Sequence, residues 1–374
     1  MRIHHVTWLP DRRGFGGVLD KLGDLGQGAR QAGIELQVHI LTAAAAGPQQ
    51  VTATWPRWAA PPLRRLMKSA SLERFIQGLS PGPVVLRYPG AIDLAMPWLL
   101  ARVGDRLVTE HHTNEAAELS TMPLGALRAG LETLLQPAIL GRVRGCVAMT
   151  DEIAGWCRAG GARVPTLTLA NGVAPERFMA PPRHWAGGTL RVLMVAGVFW
   201  PWQGLDRILR GLLSAPDQRI ELHLAGLVRS TTDQELIRQC NERFPGQVIA
   251  HGNLAQPALD ALATETHLAI SSLALHRKRM TEACPIKSRE YCARGIPFIK
   301  AYHDPDFPAG SPGCYTVAAD DAPLTPGELR RIAKDAWGHA GLGGAMREHT
   351  LRHLDFARKS HQLVDYLHSL GTWR

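Results

Sequence analysis

The chain contains two successive series of strand-like segments, and this repetition limits the folds it can adopt. Apolar runs bounded by turn residues alternate with stretches of helical periodicity, a pattern typical of parallel sheets covered by helices. The first series has predicted strands at 3–9, 36–42, 83–88, 106–112, 145–150 and 166–171. The second has them at 190–197, 221–226, 248–252, 268–272 and 297–302. Most are apolar throughout, as strands buried on both faces are.

These patterns predict an α/β fold with two doubly wound, Rossmann-like domains that face a cleft. A length of 374 residues with 45% hydrophobic residues exceeds what a single core usually supports. The Pro- and Gly-bearing loop 180–188 separates the two series, so we predict domains over 1–182 and 189–354. Segment 355–374 has apolar residues at helical spacing and is expected to pack back on the N-terminal domain. Ligands are expected at the carboxyl ends of the strands.

Net charge and cysteine content indicate which kinds of partner and which cellular compartment to expect. The formal charge of +9 favours anionic partners, including nucleic acid, an acidic membrane face and phosphorylated small molecules. The six cysteines form no C-x-x-C pair and no Cys/His spacing typical of zinc, so they indicate reduced thiols in a cytoplasmic protein. We expect no signal peptide and no spanning helix, because no apolar run approaches the ~18 residues that spanning requires.

Residues 51–75 leave a membrane contact open. Trp55 and Trp58 stand among basic residues, at Arg57, Arg64, Arg65 and Lys68. Basic residues beside tryptophans suit an anionic membrane interface, while ordinary packing with solvated charges is the alternative. The protein is therefore expected in the cytoplasm, with peripheral contact to the inner face of the membrane as an open alternative.

A glycine-rich loop follows the first predicted strand. Gly14, Gly16 and Gly17 permit the backbone to approach a phosphate closely at a helix N-terminus. The dinucleotide pattern G-x-G-x-x-G would require glycine at position 19, where the chain has Leu19, so a nicotinamide cofactor is disfavoured. The alternative is a tight turn that only joins the strand to the helix.

The stretch TEACPIKSREYCARGIPFI, residues 281–299, predicts a helix that begins at an anion site. Pro285 suits a first helical turn, and Gly295 followed by Pro297 is a stop signal, so the helix should cover about 285–294. Lys287 then lies in the first turn, where the helix dipole disfavours a cation unless an anion binds there. The free backbone N–H groups of that turn could hold a diphosphate.

Two carboxylates flank this turn. Glu282 would lie just beyond the helix N-terminus, and Glu290 several ångströms along the axis at ~1.5 Å per residue. Carboxylates so spaced could bind different parts of one elongated ligand, such as a sugar and a ribose. The alternative is a surface helix with a Lys287–Glu290 pair, worth ~0.3 kcal/mol.

The same block resembles the E-x7-E region of the family-4 glycosyltransferases, which have the GT-B fold. Other segments resemble that family in the same order. They are Gly16-Gly17-Val18 with Ala32-Gly33, ANGVAPERF at 170–178, VAGVFWPWQGLDRIL at 195–209, and LHLAG at 222–226. The resemblance covers nearly the whole chain and implies a retaining enzyme that uses a nucleotide sugar, with the acceptor on the N-terminal domain and the donor on the C-terminal one.

The resemblance also implies roles for residues. Glu282 would contact the donor sugar, and Glu290 the ribose hydroxyls. The diphosphate would lie against Lys287, the segment Cys284-Pro285-Ile286 and the loop at Gly16-Gly17. His111 or His112 falls where members of the family carry a histidine near the donor sugar; a structural His-His pair at a strand end is the alternative.

Two departures from the family bear on catalysis. The Arg and Lys of its V-G-R-x-x-x-x-K-G segment, which stabilise the leaving diphosphate, correspond here to Val198 and Gln203, both uncharged. The Asp of its N-G-V-D segment corresponds to Ala174. Lys287, or a member of the basic run 276–279, would have to compensate; that run is otherwise a solvated loop.

The sequence therefore predicts a metal-independent, retaining glycosyltransferase without a bound cofactor. Its partners would be a nucleotide sugar and a glycan or lipid-linked acceptor, in surface polysaccharide assembly. The alternative is a non-catalytic GT-B-like protein that binds nucleotide sugars or acts as a scaffold. A nucleic-acid role is disfavoured because no recognised nucleic-acid module is present.

Overall fold

The computed structural model describes residues 1–9, 16–42, 50–55, 64, 66–159, 163–179 and 184–373. They form two compact units: unit 1 comprises Met1–Ala170 and Phe356–Arg374, and unit 2 comprises Asn171–Asp355. The sequence suggested a boundary in the loop 180–188; its described part, 184–188, belongs to unit 2.

Unit 1 contains a parallel sheet of seven strands with the order β3-β2-β1-β4-β5-β6-β7. The strands are β1 Ile3–Leu9, β2 Leu36–Thr42, β3 Gln50–Thr52, β4 Val84–Arg87, β5 Leu107–His111, β6 Gly145–Ala148 and β7 Thr166–Thr168. The helices are α1 Gly16–Gln31, α2 Lys68–Gln77, α3 Met96–Val103, α4 Glu115–Ser120, α5 Gly125–Leu140 and α6 Asp151–Ala159.

Unit 2 contains a parallel sheet of six strands with the order β10-β9-β8-β11-β12-β13. The strands are β8 Leu190–Val198, β9 Ile220–Leu227, β10 Val248–Gly252, β11 Leu268–Ile270, β12 Phe298–Lys300 and β13 Cys314–Thr316. The helices are α7 Leu205–Ser214, α8 Thr231–Arg243, α9 Gln256–Thr264, α10 Ile286–Ala293, α11 Pro326–Gly338 and α12 Leu342–His349, followed by a π-helical turn at Thr350–Leu354.

The prediction of an α/β fold with two Rossmann-like sheets is confirmed. All eleven predicted strands are present, and strand β8 shows why they are apolar throughout. Val192 packs into the core on one face of the sheet and Leu193 into the core on the other. Sequence patterns missed β3 and β13, because these strands have three residues each and none of the six is fully buried.

The last helix, α13 Phe356–Ser369, belongs to unit 1 and packs against α1. A methyl group added at Gly28 would lie 2.6 Å from Cβ of Phe356, so the two helices approach too closely for a side chain. The Tyr366 hydroxyl accepts a hydrogen bond from the Cys146 N–H at 2.9 Å and donates to the Pro165 carbonyl at 2.7 Å. Among the described residues, no helix is both long enough and apolar enough to cross a membrane.

Candidate functional site

The strand order of unit 2 reverses between β8 and β11, the place where doubly wound sheets bind ligands. The chain leaving β8 forms a 3₁₀ turn at Pro201–Gln203, and the chain leaving β11 forms another at Leu275–Lys278. Backbone hydrogen bonds join the two segments, from Leu273 N–H to the Gln203 carbonyl at 3.0 Å and from Ala274 N–H to the Trp202 carbonyl at 3.2 Å. The carboxyl ends of the two strands are thereby fixed beside each other.

Gln203 connects this point to helix α10. Its Oε1 accepts hydrogen bonds from Lys287 Nζ at 2.7 Å and from Ser272 Oγ at 3.0 Å. Desolvation lowers the pKa of Lys287 to about 7. An anion bound beside the amine would favour its charged form, so Lys287 is suited to a phosphate ligand.

The N-terminus of α10 has neither a side-chain cap from its N-cap residue nor an acidic residue in its first turn. The N-cap residue is Pro285. The N–H groups of a first turn have no intrahelical acceptor, and the helix dipole gives this end a partial positive charge. With Lys287 in the same turn, this end of α10 favours a bound anion.

Arg289 joins α10 to neighbouring segments of unit 2 through buried ion pairs. Its guanidinium is fully buried and donates to Asp304 at 2.5 and 2.7 Å and to Asp306 at 2.8 Å. Its Nε also donates to the Asn171 carbonyl at 3.1 Å. Burial acts to lower the pKa of Arg289, but the two carboxylates raise it well above its usual value, so it is always charged. A buried, paired arginine fixes the helix rigidly to its neighbours.

Cys284 contributes through its backbone. Its carbonyl accepts a hydrogen bond from Asn171 Nδ2 at 2.7 Å, which fixes the segment that leads into α10. Burial raises the pKa of the Cys284 thiol to about 11, so the sulfur is protonated and is a poor nucleophile.

Hydroxyl groups attach α10 to the sheet. Ser271, Ser288 and Tyr302 form a buried triangle with oxygen separations of 2.9, 2.7 and 2.8 Å. The Tyr291 hydroxyl donates to the Ile270 carbonyl at 3.3 Å and accepts from the Val195 N–H at 3.1 Å. The helix start therefore has a fixed position relative to β8 and β11.

The two predicted carboxylates lie at different places around this helix. Glu282 is in the preceding loop, which pairs with His303; His303 Nδ1 is 3.5 Å from Glu282 Oε1. Glu290 is inside α10, and both carboxylates are half-buried. Their order relative to the helix N-terminus is the one that the sequence predicted, and their contact with a ligand stays a prediction.

Three of the four residues in the basic run 276–279 contact other side chains of unit 2. Arg277 pairs with Asp206 at 2.8 Å and with Asp321 at 2.6 Å, while His276 Nε2 is 3.2 Å from Asp321. Lys278 Nζ lies 4.6 Å from the centre of the Trp202 ring. Lys287, the other candidate for replacing the charge missing at Gln203, donates a hydrogen bond to that residue.

In unit 1, a buried cluster surrounds Glu110 at the end of β5. His112 Nε2 lies 2.6 Å and His5 Nε2 3.1 Å from its Oε2, and Lys21 Nζ lies 3.6 Å from its Oε1. Burial acts to raise the pKa of Glu110, but Lys21 and the two imidazoles lower it well below its usual value. Burial and the Lys21 charge lower the pKa of His112 to about 3, so His112 is neutral.

His111 and His112 differ in accessibility. The side chain of His111 is fully buried, and its ring centre lies 4.3 Å from that of Tyr88. His111 Nδ1 is 3.3 Å from a Glu115 oxygen, and Nε2 is 3.2 Å from Thr109 Oγ1. The His112 side chain is 16% exposed, so it is the one of the two that a ligand could reach.

Among the described residues, one group has the composition to hold a metal ion. The donor atoms of His111, Cys146 and Cys157 lie within 4.8 Å of one another, and all three residues are buried. A hydrogen bond with Cys146, together with burial, raises the pKa of Cys157, which keeps that thiol protonated. A metal ion bound here would have to displace that proton, because a coordinating thiol is deprotonated.

The glycine loop is described only from Gly16 onward, where α1 begins; Gly14 lies outside the described residues. Among the described residues, which do not include 10–15, no atom lies within 4 Å of a methyl group added at Gly17. Packing against the described residues therefore does not require glycine at position 17, and the predicted approach of a phosphate there stays a prediction.

Sequence reasoning missed four residues that shape these sites. It did not identify Glu110 or Lys21 in unit 1, nor Arg289 and Ser272 in unit 2. Glu110 had a detectable signal, because an acidic residue at the end of an otherwise apolar strand is unusual. The other three depend on contacts distant in sequence, which no local pattern reports.

No family model and no curated protein matches the sequence. Solved structures match it over nearly its full length. A sucrose-phosphate synthase from Thermosynechococcus elongatus has a TM-score of 0.72 at 15% identity, covering 98% of this chain and 100% of that one. HepE of Anabaena, in complex with UDP and glucose, has a TM-score of 0.67 at 13% identity, covering 98% and 99%.

A third match is the catalytic domain of starch synthase IV from Arabidopsis thaliana, bound to ADP and acarbose. Its TM-score is 0.63 at 12% identity, covering 99% of both chains. Identities this low establish the fold alone. With one parallel sheet of Rossmann order in each unit and these structural neighbours, the chain has the GT-B fold of glycosyltransferases.

Proposed function

We propose that the protein is a retaining glycosyltransferase that moves a sugar from a nucleoside diphosphate sugar to a hydroxyl of a glycan or lipid-linked acceptor. The proposal includes a cytoplasmic location and a role in surface polysaccharide assembly. The observation that carries it is the pairing of Lys287 with Gln203 beside the uncapped N-terminus of α10. The structural neighbours that contain UDP or ADP support a nucleotide ligand.

In this proposal the donor lies along α10. Its diphosphate binds the first-turn N–H groups, Lys287 and the segment 284–286, where a helix N-terminus favours phosphate. Glu290 binds the ribose hydroxyls, and Glu282 binds the donor sugar. Gly16 and Gly17 approach the donor phosphates, and His112 is the histidine that contacts the donor sugar.

The reaction breaks the bond between the sugar C1 and the phosphate oxygen. The acceptor oxygen forms a bond to C1 on the same face, its proton passes to the departing phosphate, and the nucleoside diphosphate leaves. Negative charge develops on the leaving group, and fixed donors directed at such charge are worth several kcal/mol. The N-terminus of α10 and Lys287 supply these donors, so the proposed reaction needs no metal and should be insensitive to EDTA.

The uncharged Val198 and Gln203 favour a second candidate, a non-catalytic protein that binds a nucleotide sugar without turning it over. Both candidates predict binding of a nucleoside diphosphate. Only the first predicts release of nucleoside diphosphate from a nucleotide sugar.

The binding test measures thermal shifts with UDP, GDP, CDP, ADP and NAD, because a ligand that binds only the folded state raises the midpoint. One nucleoside diphosphate should raise it, and Glu290→Ala should abolish the shift. Glu242→Ala, on the exposed side of α8, is the matched control and should keep it. The absence of any shift at millimolar ligand would contradict both candidates.

The activity test then uses the nucleotide sugar of the base so identified. Slow release of nucleoside diphosphate that is lost in Glu282→Ala and kept in Glu242→Ala supports the transferase. Binding without any release, with or without acceptor extract, supports the non-catalytic candidate.

A further inference from the structure

Two tryptophans just after the carboxyl end of β8 stack against each other. The ring centres of Trp200 and Trp202 are 5.6 Å apart, and their planes are inclined by 17°. Lys278 Nζ lies 4.6 Å from the centre of the Trp202 ring, so Trp202 packs against both a cation and a second indole. Trp200 is 46% exposed. Part of its surface is therefore open to a ligand.

The backbone on both sides holds Trp200 at the surface. The preceding residue, Phe199, is buried in the core of unit 2. On the other side, the Gln203 N–H donates to the Trp200 carbonyl at 2.8 Å. A methyl group added at Gly204 would lie 2.8 Å from Cβ of Leu273, so this turn packs tightly against the segment that follows β11. A ligand would meet a ring whose position is already fixed, which lowers the entropic cost of binding.

Folding does not account for a tryptophan at position 200. Of the described tryptophans, Trp98 and Trp200 are the two that are exposed. Folding normally removes most of the large surface of a tryptophan from water. Single exposed apolar residues are common, but Trp200 extends the ring of Trp202 into a larger aromatic surface. We call this pair, Trp200 and Trp202, the tryptophan platform.

Charged side chains lie beside the tryptophan platform. Arg277 donates to the carbonyl of Pro201, the residue between the two tryptophans, at 2.8 Å. The same guanidinium pairs with Asp206 at 2.8 Å and with Asp321 at 2.6 Å. The Asp321 side chain is 63% exposed, so its carboxylate can accept further hydrogen bonds from a ligand. An aromatic surface is thus bordered by groups that can bind hydroxyls.

We propose that the tryptophan platform binds a neutral pyranose ring of the acceptor, stacked on Trp200. A pyranose has C–H groups on its ring faces and hydroxyls around its edge, which matches an indole bordered by hydrogen-bonding side chains. Gln203, three residues after Trp200, contacts Lys287 at the site proposed for the diphosphate. The acceptor must reach that end of the donor, because the bond from C1 to the phosphate oxygen is the one that breaks. This assignment rests on the proposed function and gives its acceptor a sugar unit.

A nucleobase also has a flat face that can stack on a tryptophan. In the proposed orientation of the donor, the diphosphate lies at Lys287 and the ribose at Glu290, so the nucleoside extends along α10 away from the helix N-terminus. Gln203 connects the tryptophan platform to the Lys287 end. The platform therefore belongs with the sugar end of the donor, where the acceptor reacts.

The test is saturation-transfer NMR of the full chain with maltotriose, cellotriose and triacetylchitotriose at millimolar concentration. Each titration is run alone and with the nucleoside diphosphate that raises the melting midpoint, and the Tm of every variant is measured alongside. At least one trisaccharide should bind the wild type. Trp200→Leu should weaken that binding at least about tenfold, because leucine is apolar but has no flat face.

Two further variants separate stacking from damage to the fold. Trp200→Phe keeps an aromatic face and should weaken trisaccharide binding less than Trp200→Leu does. Trp98→Leu, which changes an exposed tryptophan of unit 1, should bind like the wild type. Equal losses in Trp200→Leu and Trp98→Leu would overturn the proposal, since the effect would then not belong to the platform.

The outcomes also separate the platform from the proposed function. Because the assay measures sugar binding and not turnover, binding that depends on Trp200 supports the platform even if no nucleotide sugar is turned over. Failure of every trisaccharide to bind, or equal binding by the wild type and Trp200→Leu, would overturn the platform and leave the thermal shifts with nucleoside diphosphates unaffected. Loss of those thermal shifts in Trp200→Leu would overturn it as well, because the ring would then hold the base of the donor.

Discussion

Lys287 donates a hydrogen bond from Nζ to Oε1 of Gln203 at 2.7 Å. Gln203 corresponds to a lysine in the family that the sequence resembles, so a neutral side chain stands where a cation is expected. The cation at this point of unit 2 comes instead from α10. Lys287 thus contacts the residue that stands in place of the family's lysine. Exchanging the two side chains would therefore keep one cation at the same place.

The double variant that exchanges Lys287 and Gln203 should keep a higher kcat than the single variant that removes the cation. Lys287→Gln should lower kcat for nucleotide-sugar turnover about 100-fold, the usual effect of removing one donor to developing charge. The double variant Q203K/K287Q restores one cation at the same place and should recover at least about tenfold of that loss. Steady-state kinetics at saturating donor measures both. Wild-type kcat in K287Q would contradict the assignment.

Donor affinity should decrease as pH rises through 7. The pKa of Lys287 is lowered to about 7 by desolvation, so the unliganded protein loses this charge above that pH. The affinity for a nucleotide sugar, whose diphosphate keeps its charge in this range, should fall by at most about tenfold per pH unit. Calorimetric titrations from pH 6 to 9 should show this slope, and K287Q should show none.

The same pKa predicts how stability changes with pH. Lys287 binds its proton more weakly in the folded state, about 7 against 10.5, so between these values the unfolded state holds the proton. Stability should therefore rise with pH across this window. The contribution is about 1 to 3 kcal/mol, since Lys287 is partly exposed. Urea unfolding at pH 7 and pH 9 gives the change in the free energy of unfolding for the wild type and for K287Q. An equal change in the two proteins would contradict the prediction.

Arg289 should be one of the most sensitive positions of unit 2. Arg289→Met leaves Asp304 and Asp306 without their buried partner, which typically costs about 3–5 kcal/mol. Arg238→Ala, which breaks exposed pairs on α8, is the control and should cost less than about 1 kcal/mol. Urea denaturation compares the two variants. Similar values for both would show that the buried network contributes little.

Gly17 and Gly23 test the glycine loop within one helix. An added methyl group meets no atom of the described residues at either position, so each change to alanine should stabilise the protein by about 0.5–1 kcal/mol. Only Gly17→Ala should weaken binding of the nucleoside diphosphate. Thermal melts with and without ligand report both quantities. Equal ligand shifts in the two variants would remove Gly17 from the donor site.

His112 should affect turnover more than stability. His112→Gln keeps a donor near Glu110 and should lower kcat with little change in Tm. Because the pKa of His112 is about 3, the pH profile of the wild type above pH 5 should show no titration of this residue. His111→Gln alters a fully buried ring and should mainly lower Tm. The reverse pattern would assign the ligand contact to His111.

The sequence was sufficient for the fold because its strands are buried on both faces and therefore appear as uninterrupted apolar runs. It was also sufficient for the start of α10, since Pro285 and Gly295 act locally. The contact between Lys287 and Gln203 spans 84 residues, and that between Lys21 and His112 spans 91. The burial of Arg289 could not be predicted either. An arginine in a helix is ordinarily solvated, and no residue near it in the sequence indicates otherwise.

The chain leaves unit 1 after Ala170 and returns to it at Phe356. Unit 2 is therefore inserted into the sequence of unit 1. At its two junctions, Val173 N–H donates to the Leu354 carbonyl at 2.8 Å, so entry and exit are tied together. Residues 171–355 are therefore one continuous stretch of sequence, and replacing them would leave both segments of unit 1 in the chain. A fragment ending at 170 would lack α13 and leave the surface of α1 around Gly28 uncovered.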